Sequence, residues 1–160
     1  MPLTHEQLLL YKSDFKQLCE ELGIRYIERQ NDPLVEKELQ EAIEFWIKNT
    51  AAHRDQFEWY TTWEIILKSE NVAVGGIGFS GAPGKNLTSM VGYGLDMRYH
   101  RMGIATEALA AIIKWGFENG LSKIVADTPI NHIASHKVLL KNRFTESSRD
   151  ESIIHWQLDK

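Results

Sequence analysis

The chain has 160 residues, 25% of them charged and 43% hydrophobic, with a net charge of −4. This length fits one domain, expected over residues 1–160, which buries a core of its own. Lysine and arginine are scattered, so we expect no nucleic-acid binding, whose affinity needs clustered cations. A single cysteine excludes an intramolecular disulfide and a cysteine-based metal cluster. The sequence has no secretory signal pattern and no apolar run of the ~20 residues that span a bilayer, so we expect a cytoplasmic protein without a membrane segment.

Helical patterns fill the first 50 residues. Thr4, with Gln7 three positions later, matches a capping box that opens a helix ending at Gly23. A second helix is predicted from about residue 32 to residue 50, with Pro33 at its first position.

The apolar period then changes to that of strands. Aromatic and β-branched residues predict strands over residues 59–67 and 71–79. A loop rich in glycine and proline at residues 81–86 separates them from a third strand at residues 90–97. That third strand is expected to carry Met97 on the same face as its other large apolar side chains.

A strand–helix–strand unit follows, with a helix from about Gly103 to Asn119 and a strand at residues 123–127. Such a unit favours parallel strands joined by a right-handed crossover. A helix near residues 133–142 and two strands, near 144–147 and 152–158, complete the chain. The order predicts an α+β fold with a mixed, mostly antiparallel sheet, one central parallel βαβ unit and helices on both faces.

Residues 100–107 (HRMGIATE) lie at the turn between the third strand and its helix. Helix N-termini have unpaired amide N–H groups and partial positive charge, and a glycine lets an anion approach them. Gly103 and Arg101 therefore fit either a phosphate cradle or an ordinary turn. Neither a Walker loop nor a complete dinucleotide fingerprint is present.

Three motifs in register resemble the GNAT acetyltransferase superfamily, and more closely its ribosomal-protein N-terminal acetyltransferase-like branch. They are VGYGL at residues 91–95, GIATEAL at 103–109 and ASHKVL at 134–139, followed by Phe144. The resemblance covers about residues 72–145, and it favours the cradle at the turn.

The resemblance implies acetyl-CoA as the acyl donor and no metal. It implies that the main chain of Leu95, Asp96 and Met97 pairs with the pantetheine arm, and that an amide near Met97 polarises the thioester carbonyl. It implies that Asn131, His132 and Ser135 contact the donor's arm. It also implies that six consecutive backbone amides bind the pyrophosphate, those of Arg101, Met102, Gly103, Ile104, Ala105 and Thr106.

The sequence departs from the family pattern where proton transfer is concerned. A glutamate often found before the Gly-Tyr pair is Met90, and the tyrosine that serves as general acid in many members is Leu139. The asparagine slot is His132, the glycine before the final phenylalanine is Arg143, and His100 replaces the usual glutamine or arginine. These changes leave the acid–base assignment open, whereas donor binding depends on backbone geometry.

Three side chains are candidates for proton transfer. Glu64 is the preferred base, because partial burial beside aromatic residues raises a carboxyl pKa, although a strand glutamate can simply face solvent. Ser135 is either a proton donor to the leaving thiolate or a helix N-cap. His132 is either an acid, base or hydrogen-bond donor, or a surface-loop histidine. The remaining histidines have no metal-ligand spacing, so a zinc site is not expected.

The expected activity is transfer of the acetyl group of acetyl-CoA to a primary amine by direct attack. The acceptor is either a peptide or protein N-terminus or a small amine, and neither the acyl chain length nor the choice between monomer and homodimer is determined. We expect the acceptor site to be shaped by residues 32–50, 59–67 and 81–86. A non-catalytic acyl-CoA-binding module is the alternative, since the family's glutamate and tyrosine are missing.

Overall fold

The computed structural model describes residues 1–30 and 33–160, and side chains at all positions except 31–37. The helices are α1 (His5–Ser13), α2 (Phe15–Glu21), α3 (Pro33–Ala52), α4 (Ile104–Glu118) and α5 (Ile133–Lys141). The strands are β1 (Trp63–Leu67), β2 (Val72–Phe79), β3 (Thr88–Leu95), β4 (Lys123–Pro129), β5 (Thr145–Arg149) and β6 (Ile153–Asp159). The predicted start of the second helix at Asp32 lies outside the described residues.

The six strands form one mixed sheet in the order β1-β2-β3-β4-β6-β5. β3 and β4 are parallel, whereas β1 with β2, β4 with β6 and β5 with β6 are antiparallel. The predicted α+β class, with a mixed sheet and a βαβ unit at its middle, is confirmed. By their internal contacts the residues divide into two compact units: a first unit of Met1–Gly78 with Tyr93–Met102, and a second unit of Phe79–Gly92 with Gly103–Lys160.

The N-terminal helical region is two helices, so the prediction of one continuous helix was wrong. The capping box at Thr4 is present, with the Thr4 hydroxyl accepting from the Gln7 amide. At Asp14 the backbone leaves the helical region (φ −153°, ψ 83°), and the Asp14 carboxylate accepts from the Gln17 amide instead. A side chain that offers the backbone this alternative bond ends one helix and starts the next.

Two predicted strand boundaries were also wrong. Trp59 ends a 3₁₀ helix (Arg54–Trp59), and β1 begins only at Trp63. β3 ends at Leu95, so Met97 opens a 3₁₀ turn and is 44% exposed rather than sharing the buried strand face. In both places the apolar pattern continues past the point where the backbone hydrogen bonding changes.

Close backbone approach explains the glycines of β2. A Cβ on Gly75 would lie 2.2 Å from the Gly94 carbonyl oxygen, and one on Gly76 would lie 2.5 Å from Thr62 Oγ1. Only glycine fits such positions in a strand without moving its neighbour. The first unit therefore depends on glycine to bring β1, β2 and the end of β3 together.

Each unit has apolar residues at its centre. In the first unit, Leu3, Leu8 and Leu18 are fully buried, and the neighbouring Cys19 thiol is free and buried. Burial raises the pKa of the Cys19 thiol.

In the second unit, Gly116 lets α4 approach Phe79 and Leu121 closely, since an added Cβ would lie 2.9 Å from a side-chain carbon of each. Within residues 1–30 and 33–160, no helix is both long enough and apolar enough to cross a membrane.

Candidate functional site

The start of α4 has the geometry of an anion cradle. Gly103, its N-cap, adopts a left-handed conformation (φ +83°) that other residues rarely adopt, and its carbonyl accepts from the Glu107 amide at 3.1 Å. No atom lies within 4 Å of the position a Gly103 Cβ would take. Arg101 is also left-handed (φ +64°) and exposed. Amide groups at such an N-terminus are directed at whatever anion binds there.

The parallel ladder between β3 and β4 is short. It contains Thr88↔Lys123, Ser89↔Ile124 and Met90↔Val125 only, although β3 continues to Leu95 and β4 to Pro129. Among the described residues, the pairing of β3 with β4 therefore ends at Met90, before the end of either strand. An extended ligand can add to a strand edge beyond the end of such a ladder.

Hydrogen bonds define which edge each β3 residue faces. The Met90 carbonyl accepts from Ser80 and the Asp96 amide donates to Val74 O, both at 2.9 Å, so even-numbered residues face β2. Main-chain groups alternate along a strand, so the Leu95 N–H faces the opposite edge. The Leu95 carbonyl accepts from His100 Nε2 at 3.1 Å if that nitrogen carries the proton.

Of the three residues expected to pair with pantetheine, two use their amides inside the protein. The Asp96 N–H donates to Val74 O, and the Met97 N–H donates to Gln30 O at 3.0 Å. The amide expected near Met97 to polarise a carbonyl is therefore not that of Met97 itself in this structure. Of the three, Leu95 is the residue whose N–H faces the edge of β3 away from β2.

The Asp96 side chain is buried and anchors the chain after β3. It accepts from Arg98 Nε (3.0 Å), Arg98 Nη2 (2.6 Å), the Arg98 amide and the Gln30 amide (both 2.9 Å). Hydrogen bonds from Arg98 are the main reason that the Asp96 pKa falls to about 2. Arg98 also donates to Glu28 O at 2.6 Å, so residues 28–30 are fastened to the end of β3.

Glu64 is enclosed rather than facing solvent or a cleft. Its side chain is 0% exposed and forms an ion pair with Arg29, whose side chain is 11% exposed. Burial raises the Glu64 pKa, as expected, and Arg29 opposes that rise. Glu64 Oε1 and Arg29 Nε are both buried without a hydrogen-bond partner. The carboxylate in this state holds Arg29 and does not contact solvent.

The three candidates at α5 differ in exposure. Ser135 is 8% exposed, whereas Asn131 and His132 are exposed. His132, not Ser135, is the N-cap, and its carbonyl accepts from the Ser135 amide at 3.0 Å. The N-cap interpretation of Ser135 was therefore wrong. Ser135 is one of the buried residues in the first turn of α5.

The positions that depart from the family pattern have defined environments. Leu139, in the tyrosine slot, is fully buried and has no proton to give. Met90, in the glutamate slot, is 39% exposed. Arg143 is left-handed (φ +66°), which explains why glycine is usual there. Among the described residues, no three His, Cys, Asp or Glu side chains are grouped so that they could hold a metal ion.

Arg29 was missed from the sequence. Nothing in its neighbourhood distinguishes it from other exposed-helix or loop arginines, because its partners Tyr11 and Glu64 are 18 and 35 positions away. The Asp96–Arg98 pair has a local signal, an Asp two residues before an Arg after a strand, but the family resemblance implies only main-chain roles at these positions.

A family model described as acetyltransferase (GNAT) domain matches residues 10–145, so the chain belongs to the GNAT acetyltransferase family. Among curated proteins it is similar to the uncharacterized N-acetyltransferase YjdG of Bacillus subtilis strain 168. The two are 29% identical over 98 residues, which are 61% of this chain and 58% of the relative. The chain spans about half the length of the curated relatives that it matches.

Solved structures share the fold. The ribosomal-protein-S5-alanine acetyltransferase from Vibrio fischeri aligns with a TM-score of 0.69 at 18% identity, over 99% of this chain and 91% of that chain. The N-acetyltransferase PseH of Campylobacter jejuni, in complex with acetyl coenzyme A, aligns with a TM-score of 0.58 at 15% identity, over 78% of this chain and 82% of that chain. At these identities the likeness concerns the fold alone.

Proposed function

We propose that this protein is an acetyl-CoA-dependent N-acetyltransferase that acts on a primary amine in the cytoplasm, as a monomer or homodimer. The proposal is supported by membership of the GNAT family and by relatives named N-acetyltransferases. The observation that carries it is the ladder between β3 and β4, which stops after three pairs, followed in the chain by a left-handed glycine at the start of α4.

That geometry supports the donor-binding roles proposed here for individual residues. The pyrophosphate is proposed to bind the amides at the start of α4, where the exposed Arg101 adds a full positive charge. The pantetheine arm is proposed to pair with the outward edge of β3, with Leu95 as its main partner and the Leu95 N–H at the thioester carbonyl. A donor aimed at a developing oxyanion contributes roughly 3–4 kcal/mol in other acyl-transfer sites. Asn131, His132 and Ser135 are proposed to contact the donor's arm.

The reaction is nucleophilic attack by the neutral amine nitrogen on the thioester carbonyl carbon. The new C–N bond forms, the C–S bond breaks, the amine loses one proton and the CoA thiolate gains one. An alkyl ammonium group has a pKa of ~10.4, so deprotonation must precede attack. Placement of the two reactants contributes more than a general base does. Well-oriented reactants reach effective molarities of ~10⁵ M or more, whereas a general base raises the rate by ~10²–10⁴-fold.

Proton transfer is assigned as follows. Ser135 is proposed as the donor to the leaving thiolate, because it is a buried hydroxyl-bearing residue in the first turn of α5. His132, exposed one turn earlier, is proposed as the alternative donor. Glu64, the base predicted from the sequence, is enclosed with Arg29, and this environment favours a positioning role over direct proton abstraction.

Donor binding is tested by thermal unfolding and calorimetry with acetyl-CoA. Gly103→Glu should abolish stabilisation by acetyl-CoA, because it places a negative charge at the proposed pyrophosphate site. Gly120→Glu is the matched control, since Gly120 is a left-handed glycine (φ +105°) with open space around it, just after the other end of α4. Unchanged binding by the Gly103 variant, or no stabilisation of the wild type at millimolar acetyl-CoA, contradicts the donor site.

A non-catalytic acyl-CoA-binding module is the second candidate, favoured by Leu139, Met90 and the enclosure of Glu64. Release of free thiol from acetyl-CoA separates the two, measured against N-terminal peptides and small amines. Turnover with any amine supports the enzyme. Tight acetyl-CoA binding without turnover across the panel supports the binding module.

A further inference from the structure

A pocket of about 180 Å³ that is open to solvent lies in the first unit, between α1, α2 and α3. Its apolar lining includes Tyr11, Phe15, Leu39 and Ile43, and its charged groups are Arg29 and Lys12. None of the described lining side chains is acidic. A cavity of this size holds a ligand somewhat larger than benzene, which occupies an engineered cavity of about 150 Å³.

The Arg29 guanidinium is held firmly at this cavity. Nη1 donates to the Tyr11 hydroxyl at 3.0 Å, Nη2 pairs with Glu64, and the guanidinium carbon stands 4.4 Å from the centre of the Phe15 ring. These two bonds use one N–H on each terminal nitrogen of a group that has five, so donors remain. A guanidinium whose rotamer is already ordered loses little further freedom when it binds a ligand.

The contribution of this buried ion pair to the stability of the fold does not explain its presence. Removing both charges from water carries a desolvation penalty that a buried pair offsets only when every remaining donor and acceptor is bonded. Here Arg29 Nε and Glu64 Oε1 have no partner. A buried ion pair with unsatisfied atoms needs an explanation other than stability. Binding of a ligand by the Arg29 guanidinium, which lines the pocket, is such an explanation.

The cavity is joined to the end of β3 through the next residue along the chain. Gln30 donates its amide to the Asp96 carboxylate at 2.9 Å and accepts from the Met97 amide at 3.0 Å. Asp96 and Met97 are the two residues after Leu95, and they belong to the same unit as the pocket. The main chain next to Arg29 is thus hydrogen-bonded to the strand end at which the thioester is proposed to bind.

We propose that this cavity binds the carboxylate-bearing part of the acceptor, so that the acceptor is a small amine with its own carboxylate and an apolar side chain, an amino acid in class. Arg29 is the specificity-determining residue, since a planar fork binds a carboxylate through two parallel hydrogen bonds. The aromatic and aliphatic walls contact the side chain. This inference rests on the proposed function, and it chooses between the acceptor classes left open there.

The test compares L-leucine with L-leucinamide, which has the same amine and side chain but no carboxylate. Binding to the protein saturated with CoA is followed by amide chemical shifts. We expect L-leucine to bind at least about tenfold more tightly, the scale of a lost hydrogen bond to a charged group. Equal binding of the two, or binding only of a peptide N-terminus, overturns the proposal.

Variants connect that preference to the cavity. Arg29→Gln combined with Glu64→Gln removes both charges together and should abolish the preference for L-leucine. Leu39→Phe should weaken L-leucine binding by filling the cavity while leaving Arg29 in place. Arg25→Gln is the matched control, because Arg25 is an exposed arginine of the same segment that pairs with the exposed Glu70 at 3.7 Å.

Three outcomes of these experiments can be told apart. If the double variant does not fold cooperatively, Leu39→Phe and the comparison of L-leucine with L-leucinamide still decide the matter. If acetyl-CoA binds and peptides are acetylated while L-leucine is not bound, the proposed function stands and the carboxylate site does not. If acetyl-CoA itself does not bind, the proposed function fails whatever the cavity binds.

Discussion

The Asp96 carboxylate accepts two hydrogen bonds from the Arg98 guanidinium, from Nε at 3.0 Å and from Nη2 at 2.6 Å. This paired contact lies just after the end of β3. The same carboxylate accepts from the Gln30 amide. One buried charge thereby fixes the direction of the chain after Leu95 and holds residues 28–30 in place.

The first prediction concerns Asp96→Asn and pH. The folded pKa of Asp96, about 2, lies below its ordinary value of 3.8, so its contribution is present above pH ~4 and is lost as pH falls towards 2. The shift corresponds to roughly 2 kcal/mol, the amount by which Asp96→Asn should lower the free energy of unfolding near pH 7. Urea unfolding from pH 7 to pH 2 should show the difference between variant and wild type shrinking. Asp159→Asn, at an exposed ion pair, is the control and should change stability by less than about 1 kcal/mol.

The second prediction concerns the left-handed glycine of the cradle. Gly103→Ala should lower the free energy of unfolding by about 1–2 kcal/mol, because a Cβ disfavours φ +83° even with open space around it. Gly120→Ala should cost a similar amount. Only the Gly103 variant should also weaken acetyl-CoA binding, as measured by calorimetry. Equal weakening in both variants would point to general destabilisation.

The third prediction concerns the buried ion pair. Glu64→Gln leaves the Arg29 charge without its counterion and should destabilise the protein by about 3–5 kcal/mol. Replacing both residues, as in Arg29→Met with Glu64→Leu, should recover most of that loss in thermal unfolding. For catalysis, a positioning role predicts that Glu64→Gln raises the acceptor KM more than it lowers kcat. A collapse of kcat with loss of the acidic limb of its pH profile would instead identify Glu64 as the base.

The fourth prediction tests the close approach of the backbones in the first unit. Gly75→Ala should lower the free energy of unfolding by about 2 kcal/mol or more, because its Cβ would overlap the Gly94 carbonyl oxygen, which cannot rotate away. Gly92→Ala is the matched control in a neighbouring strand, since nothing lies within 4 Å of its Cβ position. Chemical denaturation of the pair gives the comparison, and similar stability of the two variants contradicts the packing described here.

Local sequence predicted the parts of the protein that depend on local backbone conformation. Thr4 with Gln7 defines a helix start, and Gly103 before a helical stripe defines the turn at α4, because both signals lie within a few residues of the feature. Asp14 shows the limit of that approach, since its side chain ends a helix inside an unbroken apolar stripe. The contact between Arg29 and Glu64 cannot be predicted from local sequence, because residues 35 positions apart meet only through the tertiary fold.

The candidate site divides in the same way. The proposed donor site consists of main-chain groups whose placement follows from strand and helix geometry, and the motifs near Gly103 predict it. The proposed acceptor pocket depends on which side chains meet from α1, α2, α3 and β1. Composition and spacing do not indicate which distant side chains come into contact. The sequence therefore predicts the correct direction of the Glu64 pKa change but not the ion pair with Arg29.

The single thiol, Cys19, allows local opening of the first unit to be measured by chemical labelling. Because the sulfur is enclosed and its pKa is raised, a thiol reagent reacts only when the surrounding helices open. The labelling rate in the folded protein therefore reports how often this half opens. Measured with and without an acceptor, it would show whether filling the Arg29 cavity slows that opening, without an added label and without turnover.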